Sequence, residues 1–442
     1  MSRLLSVLLL LLVVGPASAE PDFEALGREA LPLLQEYIRI PSVNPPAQTR
    51  AAAEFLQRVL AREGIEARLF ESNPGQVNLL ARLPGKSRQG SLMLLHHMDV
   101  VPADASRWPV DPFAAVIKDG ELYGRGAVDM KSVGVMQIMT MIALKREKVP
   151  LEHDLLLLCT ADEETGGEAG ARFMIEHHWP ELDPTYVLDE GGFGTRDLLS
   201  AEGKLVFGVA VGEKQILWAR LVATGTSGHG SQPISDNAND RLTRALSQLG
   251  PFMHSRAGQQ SPLVAELRQR VGPLAENKFT RAIQSDTMSL TSLRSGVGDP
   301  PKANVIPSRA EATLDFRLLP DTDLGALRSE LQKLWPEGVE LEEIHSTSHT
   351  PVSSHQTPLF HCLEKALKQE YPEAVVTPYL VPFGTDSNSF RQKGAQAYGF
   401  GPAVVNASIV ASMHSDSERL PVAQIEPSLR IYYRAVAGYL AP

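Results

Sequence analysis

The chain has 442 residues, 43% of them hydrophobic, and a formal net charge of −10. That length exceeds one ordinary domain and favours two, and the apolar content supports a sizeable core and argues against disorder. The acidic balance offers no footing for nucleic acid or an anionic membrane as partner.

Residues 1–19 read as a secretory leader: a single Arg, a leucine-rich run from Leu4 to Val14, and the small-x-small site Ala17-Ser18-Ala19. The apolar run is short for a membrane span. The mature protein is therefore expected to be secreted or periplasmic, with no stable membrane anchor. The two cysteines, Cys159 and Cys362, are too few for a disulfide framework and read as separate buried thiols.

The body alternates helix and strand signals. An amphipathic helix is expected over 51–64, closed by a glycine. Strands follow over 65–70, 77–83 and 91–97, then a buried helix over 130–147 whose methionines read as core filler. The run 153–160 reads as a strand, 166–179 as a helix and 185–192 as a strand entering a turn. This alternation predicts an α/β domain with a mostly parallel sheet flanked by helices, whose site lies beyond the carboxyl ends of its strands. From Glu213 the pattern changes to an alternating strand, a helix, strands near 285–293 and 309–318, a helix over 323–335 and a last strand. That order is βαββαβ, a ferredoxin-like lid, here bounded at 213–346. It is inserted between catalytic segments 20–212 and 347–442.

Chemistry-bearing side chains gather where apolar runs meet turns. His97 and Asp99 follow one strand, and Asp129 sits in "GRGAVDMK". Asp162, Glu163 and Glu164 stand side by side after the leucine run 155–158, Asp189 and Glu190 follow another strand, and His414 lies in "MHSDSERL". Adjacent carboxylates at the end of a core strand are costly unless something neutralises them. Imidazole and carboxylate together suit zinc, and five such ligands suffice for two ions sharing a carboxylate.

His97-x-Asp-Val-Val-Pro, the Tyr123-Gly-Arg-Gly-x-x-Asp-Met-Lys run and the Glu163-Glu164 pair occur in an order and spacing that resemble the co-catalytic zinc peptidases. That family includes aminoacylase, carboxypeptidase S, glutamate carboxypeptidase and succinyl-diaminopimelate desuccinylase. The likeness spans nearly all of the mature chain and looks closest to the secreted N-fatty-acyl-amino acid hydrolase/synthase and carboxypeptidase S branch. It implies two Zn(2+) per subunit, with Co(2+) or Mn(2+) as substitutes. His97, Asp129 and Asp189 would hold one ion, and Asp129, Glu164 and His414 the other, with Asp129 as bridge. Glu190 competes with Asp189, since family members differ in which acid reaches the metal. Glu163 would be the general base, and Asp99 would fix the His97 ring. His229, in "GTSGHGSQP", would assist the oxyanion, often across a dimer interface. Asn304 and Arg317 would contact a substrate carboxylate, and Gly384 would line the pocket. The resemblance also implies a cis Asp129–Met130 peptide bond.

The implied activity is hydrolysis of the amide bond of N-acyl amino acids or of small peptides with a free carboxylate. Dipeptide or C-terminal peptide cleavage is the rival within the family. A secreted solute-binding protein is a remote alternative, for which a base beside a metal carboxylate would be superfluous.

Overall fold

The structure, a computed structural model, describes residues 20–256, 261–335, 337–347 and 349–442. The expected leader, 1–19, lies outside the described residues. The chain opens with helices α1 (Phe23–Ile38) and α2 (Arg50–Arg62), then strands β1 (Ala67–Asn73), β2 (Gln76–Leu83) and β3 (Ser87–His97). A small hairpin, β4 (Val116–Lys118) and β5 (Glu121–Tyr123), precedes α3 (Lys131–Arg146) and β6 (His153–Thr160). Helix α4 (Phe173–Leu182) leads to β7 (Tyr186–Asp189), β8 (Phe193–Thr195) and β9 (Val206–Glu213).

One residue, Lys214, separates β9 from β10 (Gln215–Thr224), which begins the second unit. It continues through β11 (Gly228–His229), α5 (Ala238–Arg256), α6 (Pro262–Val271), α7 (Lys278–Gln284) and β12 (Thr287–Ser295). Strands β13 (Val305–Ile306) and β14 (Arg309–Leu318), helix α8 (Leu324–Gln332) and strand β15 (Val339–Ser346) complete it. The chain then returns through α9 (Pro358–Glu370), β16 (Val375–Val381), α10 (Ser387–Gln392), β17 (Gln396–Gly399), α11 (Ala407–Val410), β18 (Arg419–Pro421) and α12 (Ile425–Leu440).

The large sheet runs β1-β2-β6-β3-β7-β17-β9-β16, with β8 beside β9. Its centre, β6-β3-β7-β17, is parallel, while β1 and β2 add on antiparallel. Strands buried on both faces need apolar residues at every position, which explains the leucine run in β6. Leu155, Leu157 and Cys159 face the core built with α1, α3, α9 and α12, while Leu156 and Leu158 face the core of α4 and α10. Cys159 and Cys362 are both free.

The small sheet, β12-β14-β10-β15, is antiparallel throughout and has its own core with α5 and α8. Its order is the one a βαββαβ unit produces. One feature departs from the sequence reading. Helices α6 and α7 fall inside 213–346, yet Leu267, Val271 and Ile283 pack with Val206, Ala210, Tyr379 and Val381 of the large sheet. The expected lid segment thus lends two helices back to the other unit.

Candidate metal centre

Parallel order brings the strand ends together. β3 lies between β6 and β7, so His97 at the end of β3 stands between the acids that follow its neighbours. Alternation sets the two histidines apart. His96 turns toward α3, where its Nδ1 lies 2.9 Å from Gln137 Oε1. His97 turns the other way, and its Nε2 lies 3.0 Å from Asp129 Oδ1. The second oxygen of Asp129 lies 3.1 Å from His414 Nε2, which is also 3.1 Å from Glu164 Oε2. Asp129 therefore offers one oxygen to each histidine. His97, Asp129 and Glu164 present donor atoms within 4.8 Å of one another, as do His97, Glu163 and Glu190.

The two acids at the end of β7 face different ways. Glu190, not Asp189, faces His97, with Oε1 3.7 Å from Nε2. Asp189 is still in the strand and its Oδ2 accepts from the Ser387 N–H at 3.0 Å and hydroxyl at 2.7 Å. Its carboxylate is thus committed to the start of α10. Glu190 lies one residue beyond the strand, where alternation no longer dictates direction.

The supporting groups are backbone-directed. His97 Nδ1 lies 2.9 Å from the Asp99 carbonyl oxygen, while the Asp99 carboxylate is 3.6 Å away. The ring is thus fixed through the main chain of Asp99 more than through its side chain. That side chain accepts from the Glu163 N–H at 3.3 Å and the Glu164 N–H at 3.2 Å, which aims the acidic turn. Asp162 caps the same turn, accepting from Thr165, from the Ala169 N–H and from Asn44.

Two contributors carried no recognisable sequence signal. Asn44 Nδ2 donates to both Asp99 (3.0 Å) and Asp162 (2.9 Å). Glu418, fully buried, accepts from the N–H groups of Gly126, Val128 and Asp129 and from Arg125. It holds the Asp129 loop from 289 positions away. In the sequence it looks like one more charge in "SDSERL". The Asp129–Met130 bond is cis.

The electrostatics call for cations. Burial, and then repulsion from neighbouring carboxylates, push Glu163 and Glu190 well above the usual carboxylate range, although His97 opposes this. Burial also raises Glu164. Hydrogen bonds to Asp129 and Glu164 push His414 up to about 10. Asp129, by contrast, is lowered: burial opposes this, but its bonds to His414 and His97 prevail. Glu164 Oε1 is buried with no hydrogen-bond partner among the described residues. Four carboxylates balance two divalent cations, and the oxygen and imidazole donors suit such ions. The residues fit a metal group.

The expected lid residues lie elsewhere. β10 leaves the large sheet at Gln215 and runs ten residues to Thr224, about 30 Å of strand. His229 lies past that far end, exposed, its Nδ1 accepting from the Ser231 hydroxyl at 2.7 Å. Asn304 is beside it, its carbonyl accepting from the Gly230 N–H. Arg317 is at the opposite end of the lid sheet, paired with Ile216, whereas Arg309 pairs with Thr224. The guanidinium of Arg317 is bound to Asp315 at 2.8 and 3.2 Å. Within one chain, then, Arg317 is not gathered with Asn304 and His229. Gly384 lies at the hinge, where a Cβ would meet Ile216 Cδ1 at 3.3 Å.

Such a cluster, gathered around the carboxyl ends of β3, β6 and β7, is what a metal-dependent hydrolase requires. The chain belongs to peptidase family M20/M25/M40, whose profile matches residues 93–438. Aminoacylase-1A of Rattus norvegicus is 30% identical over 435 residues, covering 96% of this chain and 96% of that protein. N-fatty-acyl-amino acid synthase/hydrolase PM20D1 of Xenopus tropicalis is 27% identical over 445 residues, covering 92% and 85%. The M20 metallo-carboxypeptidase Sso-CP2 of Sulfolobus solfataricus superposes with a TM-score of 0.72 at 21% identity, covering 93% of this chain and 99% of that one. The protein is a metallo-amidohydrolase with a metal-ligand cluster at His97, Asp129 and Glu164.

Proposed function

We propose that the protein hydrolyses the amide bond of N-acyl amino acids, using two zinc ions per chain and Glu163 as general base. The observation that carries this reading is the division of Asp129 between His97 and His414, with Glu163 beside His97 and Glu190 and engaged by no ion pair among the described residues. His97, Asp129 and Glu190 would hold one ion, and Asp129, Glu164 and His414 the other. Bound ions of this kind polarise an amide carbonyl and make water acidic enough to lose a proton near neutral pH. Glu163 takes that proton on its carboxylate and hands it to the departing amine nitrogen. Asp99, through the Glu163 and Glu164 N–H groups, and Glu418, through the Asp129 loop, keep the carboxylates in place.

The distance of His229 from the cluster is consistent with a residue supplied by a second subunit. The edge strand β12 exposes Leu290 and Leu293, and exposed apolar edges favour pairing with another chain. We therefore include a homodimer, and export through residues 1–19, in the proposal. The test is a panel of N-acetyl amino acids and dipeptides assayed with zinc. The reading expects the acetylated substrates to be cleaved faster. Preference for dipeptides would move the assignment to a dipeptidase, and cleavage of neither would refute it.

A further inference from the structure

A second cavity shares a wall with the metal centre. It lies between the first turns of α3 and α12, the exit of β7 and the loop after β17. Its wall is mostly apolar, with Val133, Met136, Phe193, Val405, Val410 and Ile425 among the lining side chains. Glu190 is common to both sites, since it lines the cavity while its Oε1 lies 3.7 Å from His97 Nε2. Val128 and Met413, each one residue before a cluster member, line it as well. A group attached to an amide held at His97 would therefore have only a short way to reach it.

The lining is built by core packing and does not belong to a mobile surface. Met136, Val405 and Ile425 are 3%, 6% and 3% exposed. At the same wall the Ser428 hydroxyl is buried without a hydrogen-bond partner among the described residues. The cavity volume is about 80 Å³, which is room for about five to eight water-sized units. That matches a branched or sulfur-containing side chain, a phenyl ring or a short acyl chain, and falls well short of a long fatty-acyl chain.

We infer that this cavity is a specificity pocket for one apolar group of the substrate, of about five to eight heavy atoms, seated between α3 and α12 behind Glu190. The inference rests on the amide-hydrolase reading. The same apolar chemistry could come from the amino-acid side chain or from the acyl chain, so two substrate series distinguish the sources. One varies the side chain of N-acetyl amino acids from glycine through leucine and methionine to phenylalanine. The other varies the acyl chain on glycine from acetyl to dodecanoyl.

In the series whose group enters the pocket, kcat/KM should rise about fourfold per methylene and level off or fall beyond about eight heavy atoms. Ala403 also lines the cavity, and Ala403→Phe, which fills it, should flatten that rise while leaving zinc content and thermal unfolding near wild type. Val405→Ala should move the limit outward by one or two carbons. Calorimetry of the released amino acids and carboxylic acids on the metal-stripped protein gives a readout independent of turnover, and Ala403→Phe should weaken only the large apolar products. A wild-type size profile in a folded Ala403→Phe that binds zinc would overturn the inference. Absence of any amide hydrolysis by the wild type would refute the functional reading instead, and the calorimetric series would then decide the pocket alone.

Discussion

Glu163 is the residue on which turnover should depend without metal binding depending on it. Glu163→Gln should keep the metal content of the wild type and lose about 10²–10⁴-fold in kcat, the usual effect of removing a general acid–base. Metal analysis and kinetics on one preparation check this, and loss of metal would show Glu163 to be a ligand. The neighbouring acids at the end of β7 should separate by a different readout. Glu190→Gln should weaken the binding of one ion. Asp189→Asn should retain both and lose about 1–3 kcal/mol of stability, because its buried bonds to Ser387 are disturbed. Zinc titration and chemical denaturation of the two variants distinguish them, and the opposite pattern would restore Asp189 as the ligand. The sequence put both acids beside one another, but only strand parity and the position of α10 show which way each points. Asp189 is the last residue of β7 and points to the Ser387 side, where Val187 also packs against the core shared with Phe390. Glu418 and Asn44 were illegible for a related reason. Each acts through hydrogen bonds to segments far away in the chain, and neither has a local pattern.

At the scale of elements, the hinge is built on a buried cation. Lys214 is 0% exposed, and its Nζ donates to the Ser285 carbonyl at 2.6 Å and the Thr287 hydroxyl at 3.1 Å. It thereby joins the start of β10 to the start of β12. Burial pulls its pKa down from 10.5 to about 7, while Asp286 and Asp315 support the charge and Arg317 opposes it. The folded-state value lies below the unfolded one, so between these limits the unfolded chain binds more protons. Stability should therefore rise with pH through this window, by on the order of 2 kcal/mol between pH 7 and 9 from this group. Lys214→Met should lose that slope in denaturation measured at both pH values, and an unchanged slope would refute the assignment. The βαββαβ order of this unit was legible because half-buried strands alternate with period two. Helices α6 and α7 were not, because amphipathicity says that a helix has an apolar face but not which sheet covers it.

At the scale of the molecule, the large sheet was readable from its leucine-rich strands, and part of the cluster was readable because His97, Glu163, Glu164 and Glu190 come soon after β3, β6 and β7, whereas Asp129 and His414 reach it from loops beside α3 and α11. What the sequence did not convey was the separation of His229 and Asn304 from Arg317, which depends on the length and direction of β10 and β14. If His229 acts from a second subunit, His229→Ala should leave metal content intact and lower kcat by about 10²–10³, the effect of removing one oxyanion donor. Mixing it with Asp129→Ala should then restore activity through heterodimers, which assay of the mixture against each variant alone would reveal, and no recovery would confine the site to one chain. The central claim is that Asp129 unites two metal sites that make the chain an amide hydrolase. Zinc titration of the metal-stripped protein, with hydrolysis of an N-acetyl amino acid followed in the same samples, tests it most directly. The account predicts two ions bound per wild-type chain, activity appearing with them, and loss of both in Asp129→Ala. Two tightly held ions in Asp129→Ala, or amide hydrolysis by the metal-free wild type, would contradict it.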